Sequence, residues 1–124
     1  MQLKKTEKTE LGLKGEEIAC KYLTKLGYSI IERNWRYKHK EIDIIMKQDS
    51  LLIIVEVKTR SSLYFERPQD AVTIQKQKFL ISAANGYIEN IEFDGEVRFD
   101  IVTVLLENGK EKIEHIPDAF YPLV

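Results

Sequence analysis

The sequence predicts an α/β fold in which helices flank a mixed central β-sheet. Two segments carry apolar residues at helical spacing, and strand-like runs rich in Ile and Val lie between and after them. The chain has 124 residues, 44% of them hydrophobic, and no low-complexity linker divides it. We therefore expect one domain over residues 1–124, with residues 1–8 as a flexible N-terminal extension. The expected element order is α-β-β-β-α-β, followed by a short edge strand.

The first helix is predicted over residues 9–26, where an apolar stripe recurs every three to four residues. The stripe consists of Leu11, Gly15, Ile18, Tyr22 and Leu26, widened by Ala19 and Leu23. Gly27-Tyr28 ends the helix, and residues 28–33 are predicted to form the first strand. Glu16 falls at the margin of the stripe. It either overhangs the sheet as an additional carboxylate or complements the helix dipole as an ordinary first-turn glutamate.

Two apolar runs, residues 41–47 and 51–58, are joined by a polar turn at residues 48–50 and predict a β-hairpin. With a two-residue loop in this turn, Asp43 lies directly opposite Glu56. A loop one residue longer or shorter would place Asp43 opposite a valine instead. The prediction of a paired acidic site therefore depends on the register of this hairpin.

Lys58 shares the strand face of Glu56, and the same register places Glu41 opposite Lys58 as a supporting charge. The surrounding runs are apolar on both faces, which is typical of strands that are covered on both sides. Two opposed buried carboxylates repel each other unless one is protonated, a lysine compensates or a cation binds. The charges therefore form either a metal or catalytic site, which we favour, or a structural ion cluster.

A second helix is predicted from Pro68 to about Ile88, followed by a strand over residues 96–106. Asn108-Gly109 predicts a turn before a short edge strand at residues 112–116. Lys76 lies within the apolar stripe of the second helix. It either extends past the core to solvent or reaches the acidic pair and a bound phosphate.

Charge is distributed unevenly along the chain. Residues 1–40 contain ten Lys and Arg against five Asp and Glu, whereas residues 41–124 contain nine against fifteen. The densest basic stretch, residues 33–40, interleaves four basic side chains with Trp35 and Tyr37. Such a stretch suits phosphates and stacked bases, although a solvated strand end is an equal alternative. The net charge of −1 argues against a protein that coats nucleic acid non-specifically.

Several classes of protein are disfavoured. No run of eighteen apolar residues predicts a membrane span, and the N-terminal residues lack a secretory signal. The single cysteine, Cys20, permits no internal disulfide and fits a reducing compartment. His39 and His115 are too far apart in sequence to suggest a zinc site. We expect a cytoplasmic protein with no membrane partner.

Asp43 followed by Glu56-x-Lys58 resembles the catalytic core of the PD-(D/E)XK nucleases, which have the restriction-endonuclease-like fold. A wider set of motifs, covering residues 10 to 120, resembles the bacterial YraN-like family, which is grouped with endonucleases and related in architecture to archaeal Holliday-junction resolvases. The motifs are Gly12-x-x-Gly-Glu-x-x-Ala19-x-x-Tyr-Leu23, Gly-Tyr28, Arg-Asn34-x-Arg36, Glu-Ile-Asp-Ile-Ile45, Val-Glu-Val-Lys-Thr-Arg60, Ala-Val72-x-x-x-Lys76 and Phe-Asp-Ile-Val102. Lys40 stands where the family usually has glycine.

The resemblance implies a nuclease that uses Mg²⁺, with Mn²⁺ as a possible substitute. It implies that Asp43, Glu56, Glu16 and the backbone carbonyl of Val57 hold the metal, and that Lys58 lies beside the attacking water. Lys76 matches the helix lysine of the family. Basic residues would position the nucleic acid, for which we expect DNA; they are Arg33, Arg36, Lys38 and Arg60.

Two alternatives to this nuclease remain open at the level of sequence. One is a nucleic-acid-binding or assembly module that keeps the fold without turnover. Another is an interaction domain whose charged cluster is structural. A homodimer is also possible, because relatives that cut two strands commonly dimerise.

Overall fold

The computed structural model describes residues 8–61 and 72–121, in which two helices pack on a five-stranded sheet. The elements are α1 (Glu10–Lys25), β1 (Ser29–Tyr37), β2 (Lys40–Gln48), β3 (Leu51–Arg60), α2 (Ile74–Ile91), β4 (Glu96–Glu107) and β5 (Lys110–Phe120). The strands are ordered β1-β2-β3-β4-β5, and only β3 and β4 are parallel. The predicted α/β class and mixed sheet are confirmed, and the arrangement agrees with the restriction-endonuclease-like fold.

The central hairpin has the predicted register. Asp49, with a φ of 54°, and Ser50 form its turn. Pairing runs from Gln48 with Leu51 as far as Ile44 with Val55. Asp43 and Glu56 are the next residues along this register, directly beyond the last paired residues.

The ends of several elements differ from the prediction. β1 continues to Tyr37, so most of the basic stretch lies in a strand, and β5 is eleven residues long rather than a short edge strand. The inclusion of Leu26 in the buried stripe was wrong, because α1 ends at Lys25 and Leu26 is 51% exposed. α2 begins at Ile74 after the N-cap Thr73. The predicted start at Pro68 lies outside the described residues.

The core consists of two layers, one on each face of the sheet. Residues on the α1 face include Ala19, Leu23, Ile44, Met46, Ile53, Val55, Val57, Val102 and Val104. Those on the α2 face include Ile42, Ile45, Leu52, Ile54, Leu80, Ala83, Tyr87, Phe99 and Ile101. Regular alternation would place Ile42 and Ile44 on one face, but they pack on opposite faces because the alternation of β2 breaks at Asp43. Neither helix in the described part of the chain is both long enough and apolar enough to span a membrane.

The close approach of α1 to β3 depends on Gly15. A Cβ atom at this position would lie 1.8 Å from Thr59 Oγ1, closer than any packed atoms allow. The absence of a side chain therefore lets the helix lie directly on the strand. The next residue of α1, Glu16, is held against the sheet by this contact and is only 2% exposed.

Candidate active site

The site lies where β2 separates from β3 and where its pairing with β1 is interrupted. The β2–β3 ladder stops at Ile44 and Val55, and the β1–β2 ladder skips Asn34 and Asp43. Asn34 has a φ of 52°, a left-handed conformation that asparagine tolerates better than most residues. The Asp43 side chain takes over the missing ladder bond, because its Oδ2 accepts the backbone N–H of Val57 at 2.8 Å. A buried carboxylate thus replaces a backbone carbonyl at the opening of the sheet.

On the α1 side of this opening, the Lys8 ammonium bridges two carboxylates. Its Nζ contacts Asp43 Oδ1 and lies 2.6 Å from Glu16 Oε2. Burial alone would lower the pKa of Lys8, but the charges and hydrogen bonds of Asp43 and Glu16 outweigh it and raise the pKa. Burial also raises the pKa of Glu16, although the contact with Lys8 opposes this shift. The two carboxylates therefore share one cation.

On the α2 side, Glu56 faces two lysines. Its Oε2 lies 3.6 Å from Lys76 Nζ and 4.0 Å from Lys58 Nζ, and the side chain is 5% exposed. Burial, and next the charge of Asp43, raise the pKa of Glu56 to about 8. Without a further cation, burial and this neighbouring charge therefore favour the protonated form of Glu56. The two lysines do not compensate fully for burial and for the neighbouring charge.

The carboxylates line one open cavity of about 430 Å³, together with Val57, Lys58 and Lys76. Glu16 Oε1 and Glu56 Oε1 are buried there without a hydrogen-bond partner. Buried polar oxygens without a hydrogen-bond partner are rare in proteins, so both oxygens are available as ligands. Oxygen donors of this kind suit Mg²⁺ or Mn²⁺.

The side chains as placed do not form a complete metal cage. Among residues 8–61 and 72–121, no three acidic, histidine or cysteine side chains are close enough together to hold one ion. Asp43 and Glu16 are engaged by Lys8, and Glu56 points to the α2 side. Magnesium needs only one or two carboxylates if water and substrate supply the other ligands. The donor set fits such an ion provided that Lys8 vacates its position.

The other predicted site residues are spread around the opening. Glu41 lines the cavity, but within the described part of the chain no ion pair joins it to Lys58, which lies near Glu56 instead. Arg33 pairs with Glu17 of α1 at 3.0 Å. Lys38 Nζ lies 5.3 Å from the ring centre of Tyr37. Arg36 is exposed on β1, and Arg60 is half-buried at the end of β3, where its Nη1 donates to the Thr59 carbonyl.

Sequence reasoning did not identify Lys8 or Lys40 as site residues. Lys40 lines the acidic cavity and a smaller adjoining cavity of about 230 Å³, which it shares with Lys58, Lys76 and the start of α2. Both Lys40 Nζ and Lys76 Nζ lie 5.4 Å from the ring centre of Phe79. The one indication in the sequence that position 40 is unusual was the lysine in place of the glycine that the family usually has. Lys8 had been assigned to the flexible extension, and nothing in its neighbours in the sequence suggested a contact with Asp43.

A second buried charge cluster lies on β4 and β5. Asp100 is fully buried and accepts hydrogen bonds from the Arg98 guanidinium at 2.8 and 2.9 Å and from the Asp118 backbone N–H at 3.0 Å. His115 Nε2 lies 2.8 Å from Asp100 Oδ2, the oxygen that also accepts from Arg98 Nη2. Both carboxylate oxygens have partners, so this cluster connects β5 to β4 at the register shift between Phe99 and Ile101. We assign it a structural role.

The chain is similar to known proteins over most of its length. The model of a family described as "Uncharacterised protein family UPF0102" matches residues 15–104. A UPF0102 protein of Bacteroides thetaiotaomicron is 48% identical over 116 residues, which are 94% of this chain and 96% of that protein. Similar proteins of Bacteroides fragilis and Christiangramia forsetii are 51% identical over 112 residues and 49% over 115. These matches cover 90% and 93% of this chain and 93% and 97% of those proteins.

Proposed function

Because this chain belongs to the uncharacterised family UPF0102, whose name gives no reaction, we propose a function from its own site. We propose that the protein is a metal-dependent nuclease that hydrolyses phosphodiester bonds in nucleic acid, with DNA as the expected substrate. The observation that carries the proposal is the pair of buried carboxylates with unpartnered oxygens, Glu16 and Glu56, in one open cavity beside Asp43 and Lys58.

The donor set of this cavity suits a divalent cation. Asp43 and Glu56 would hold the ion together with water and substrate, and Glu16 and Val57 line the same cavity. When bound, such an ion lowers the pKa of a water and polarises a phosphoryl oxygen. It would also relieve the repulsion between the Asp43 and Glu56 carboxyl groups.

The lysines of the site suit a phosphate. Lys58 and Lys76 lie within 4.0 Å of Glu56 Oε2 and line the cavities together with Lys40. In the proposed reaction a water oxygen bonds to phosphorus and one ester bond of the phosphate breaks. The water gives up a proton to solvent, and the leaving oxygen gains one from solvent. Lys58 would stabilise the negative charge that develops on the phosphoryl oxygens, while Lys40 and Lys76 bind the same strand.

Partly buried aromatic rings and lysines lie beside the site, and this combination suits a nucleic-acid strand. Trp35 and Tyr37 are stacked with their ring centres 6.0 Å apart, and Tyr37 contacts Phe79 at 6.3 Å. Lys38 and Lys40 lie over the rings of Tyr37 and Phe79. Alternating aromatic and basic groups are typical of surfaces that bind bases and phosphates of single strands.

A nucleic-acid-binding or assembly module without turnover is the second candidate, and the position of Lys8 favours it. Lys8 forms an ion pair with both Asp43 and Glu16, as a structural lysine would in a site that never binds metal. In that case the surface of basic and aromatic side chains would still bind nucleic acid. Cleavage therefore has to be measured separately from binding.

The experiment incubates the purified protein with end-labelled single-stranded, duplex, flap and four-way-junction DNA, and with RNA, in Mg²⁺, Mn²⁺ or EDTA. Glu56→Gln and Lys58→Met are compared with Glu89→Gln and Lys78→Met, which change exposed residues of α2. We expect metal-dependent cleavage by the wild type and a loss of at least about 100-fold in the two site variants. The two α2 surface variants should cleave like the wild type.

The possible results separate the two candidates. Cleavage that is equal in the wild type, Glu56→Gln and Lys58→Met would indicate a contaminating nuclease and refute the proposed activity. Binding of nucleic acid without cleavage in either metal would support the second candidate. Neither binding nor cleavage on any substrate would contradict both.

A further inference from the structure

The Lys8 ammonium occupies a position that the proposed metal ion would need. Its Nζ contacts Asp43 Oδ1 and Glu16 Oε2, and these acidic side chains are only 6% and 3% exposed. Within the described residues, no other basic side chain lies within ion-pair distance of either one. Lys8 therefore provides the positive charge that these buried carboxylates contact directly.

The backbone of Lys8 is placed by the start of α1. Thr9 is the N-cap, its Oγ1 accepts the Gly12 N–H at 3.0 Å, and its carbonyl accepts the Leu13 N–H at 2.9 Å. A lysine ammonium sits on a flexible four-carbon stem and is readily hydrated. The Lys8 side chain is already 23% exposed. It can therefore leave the carboxylates by side-chain rotation alone, without unfolding of the helix.

We propose that Lys8 is an internal competitor for the cation site: its ammonium holds Asp43 and Glu16 in the metal-free protein and must leave before a divalent ion binds them. This inference depends on the metal site of the proposed function. It adds a regulatory contact, because an ammonium and a metal ion cannot contact the same carboxylate oxygens at once. Lys8 thus sets the concentration of free metal at which the site fills.

The expected effect follows from competition. The apparent affinity of a ligand falls in proportion to the fraction of molecules in which its site is accessible. If Lys8 occupies the carboxylates in more than nine of ten molecules, its removal should increase metal affinity by at least about tenfold. The same removal leaves two buried carboxylates without their cation, so the metal-free protein should become less stable.

The experiment titrates Mn²⁺ alone into the metal-free full-length protein and measures binding by calorimetry. It compares the wild type with Lys8→Met, which keeps the length of the stem without its charge, and with Lys8→Arg, which keeps the charge. Lys14→Met is the matched control, because Lys14 is an exposed lysine of α1. Thermal unfolding in EDTA and in saturating Mn²⁺ gives a second readout that requires no activity.

We expect Lys8→Met to bind Mn²⁺ at least tenfold more tightly than the wild type, and Lys8→Arg and Lys14→Met to bind within about threefold of it. In EDTA, Lys8→Met should melt at a lower temperature than the wild type, and saturating Mn²⁺ should close this gap. Equal or weaker binding by Lys8→Met would overturn the role of Lys8 while leaving the metal site intact. Absence of Mn²⁺ binding in the wild type and all variants would overturn the metal site itself, and the role of Lys8 with it.

Discussion

Replacement of Glu56 by glutamine tests whether burial and the charge of Asp43 disfavour the ionised form of Glu56. Glutamine keeps the shape of the side chain and removes its charge. Burial, and then the charge of Asp43, raise the pKa of Glu56 from 4.5 to about 8. A carboxyl group with a raised pKa binds its proton more tightly in the folded protein. The stability that this group contributes is therefore fully present below its unfolded pKa of about 4.5 and is lost as the pH rises to about 8.

The magnitude follows from the width of this window. Each pH unit between the two pKa values lowers the free energy of unfolding by about 1.4 kcal/mol. Between pH 5 and pH 8 the wild type would lose at most about 4 kcal/mol relative to Glu56→Gln. Because the cavity is open to solvent, which screens the charges, we expect a loss of about 2–3 kcal/mol. Glu16, whose pKa is also raised, is present in both proteins and cancels in this difference.

The assay is urea unfolding in EDTA at pH 5, 6, 7 and 8, followed by the fluorescence of the single tryptophan, Trp35. Glu56→Gln should gain stability relative to the wild type as the pH rises, whereas Glu89→Gln on the surface of α2 should not. Saturating Mg²⁺ should restore the free energy of unfolding of the wild type at pH 8. It should raise that of Glu56→Gln by less. A difference between Glu56→Gln and the wild type that stays constant from pH 5 to pH 8 would refute the reasoning.

Two further predictions concern the scaffold. Gly15→Ala should cost about 1–3 kcal/mol in urea unfolding, because the new methyl group would overlap Thr59, whereas Gly12→Ala, with its nearest neighbour at 3.4 Å, should be neutral or slightly stabilising. Equal effects at the two glycines would contradict the close packing of α1 on β3. Asp100→Asn should cost about 3 kcal/mol at neutral pH, because it removes the charge that Arg98 and His115 contact. Burial alone would raise the pKa of Asp100, but its hydrogen bonds outweigh burial and lower the pKa. The stability that the ionised Asp100 contributes is therefore present above about pH 4 and is lost as the pH falls below it. The free energy of unfolding that Asp100→Asn loses should be smaller at pH 3 than at pH 7. An equal loss at both pH values would disprove the structural role of the ionised Asp100.

Family membership and the α/β class followed from local patterns in the sequence. The period of the apolar residues marked both helices, and the turns at Asp49-Ser50 and Asn108-Gly109 marked the hairpins. A two-residue turn determines which residues pair beside it. For this reason the neighbourhood of Asp43 and Glu56 was predictable without a structure.

The break in β2 was not predictable in the same way. Perfect alternation would place Ile42 with Ile44, yet the two residues pack on opposite faces. The reversal arises where Asn34 adopts a left-handed conformation and the Asp43 side chain replaces a backbone acceptor. A period of two carries no information about such an irregularity, because it depends on contacts with both neighbouring strands.

The sequence by itself determined that two carboxylates and a lysine, Asp43, Glu56 and Lys58, would meet on one hairpin, because pairing across a short turn is a local property. Only the tertiary structure decided which cations surround them. Lys8 and Glu16 reach Asp43 because α1 packs closely on β3, and Lys76 reaches Glu56 because α2 covers the opposite face. These contacts join residues that are far apart in the chain, so they depend on how the helices dock. The charge balance of the site, and with it any affinity for a metal ion, is therefore a property of the packed fold.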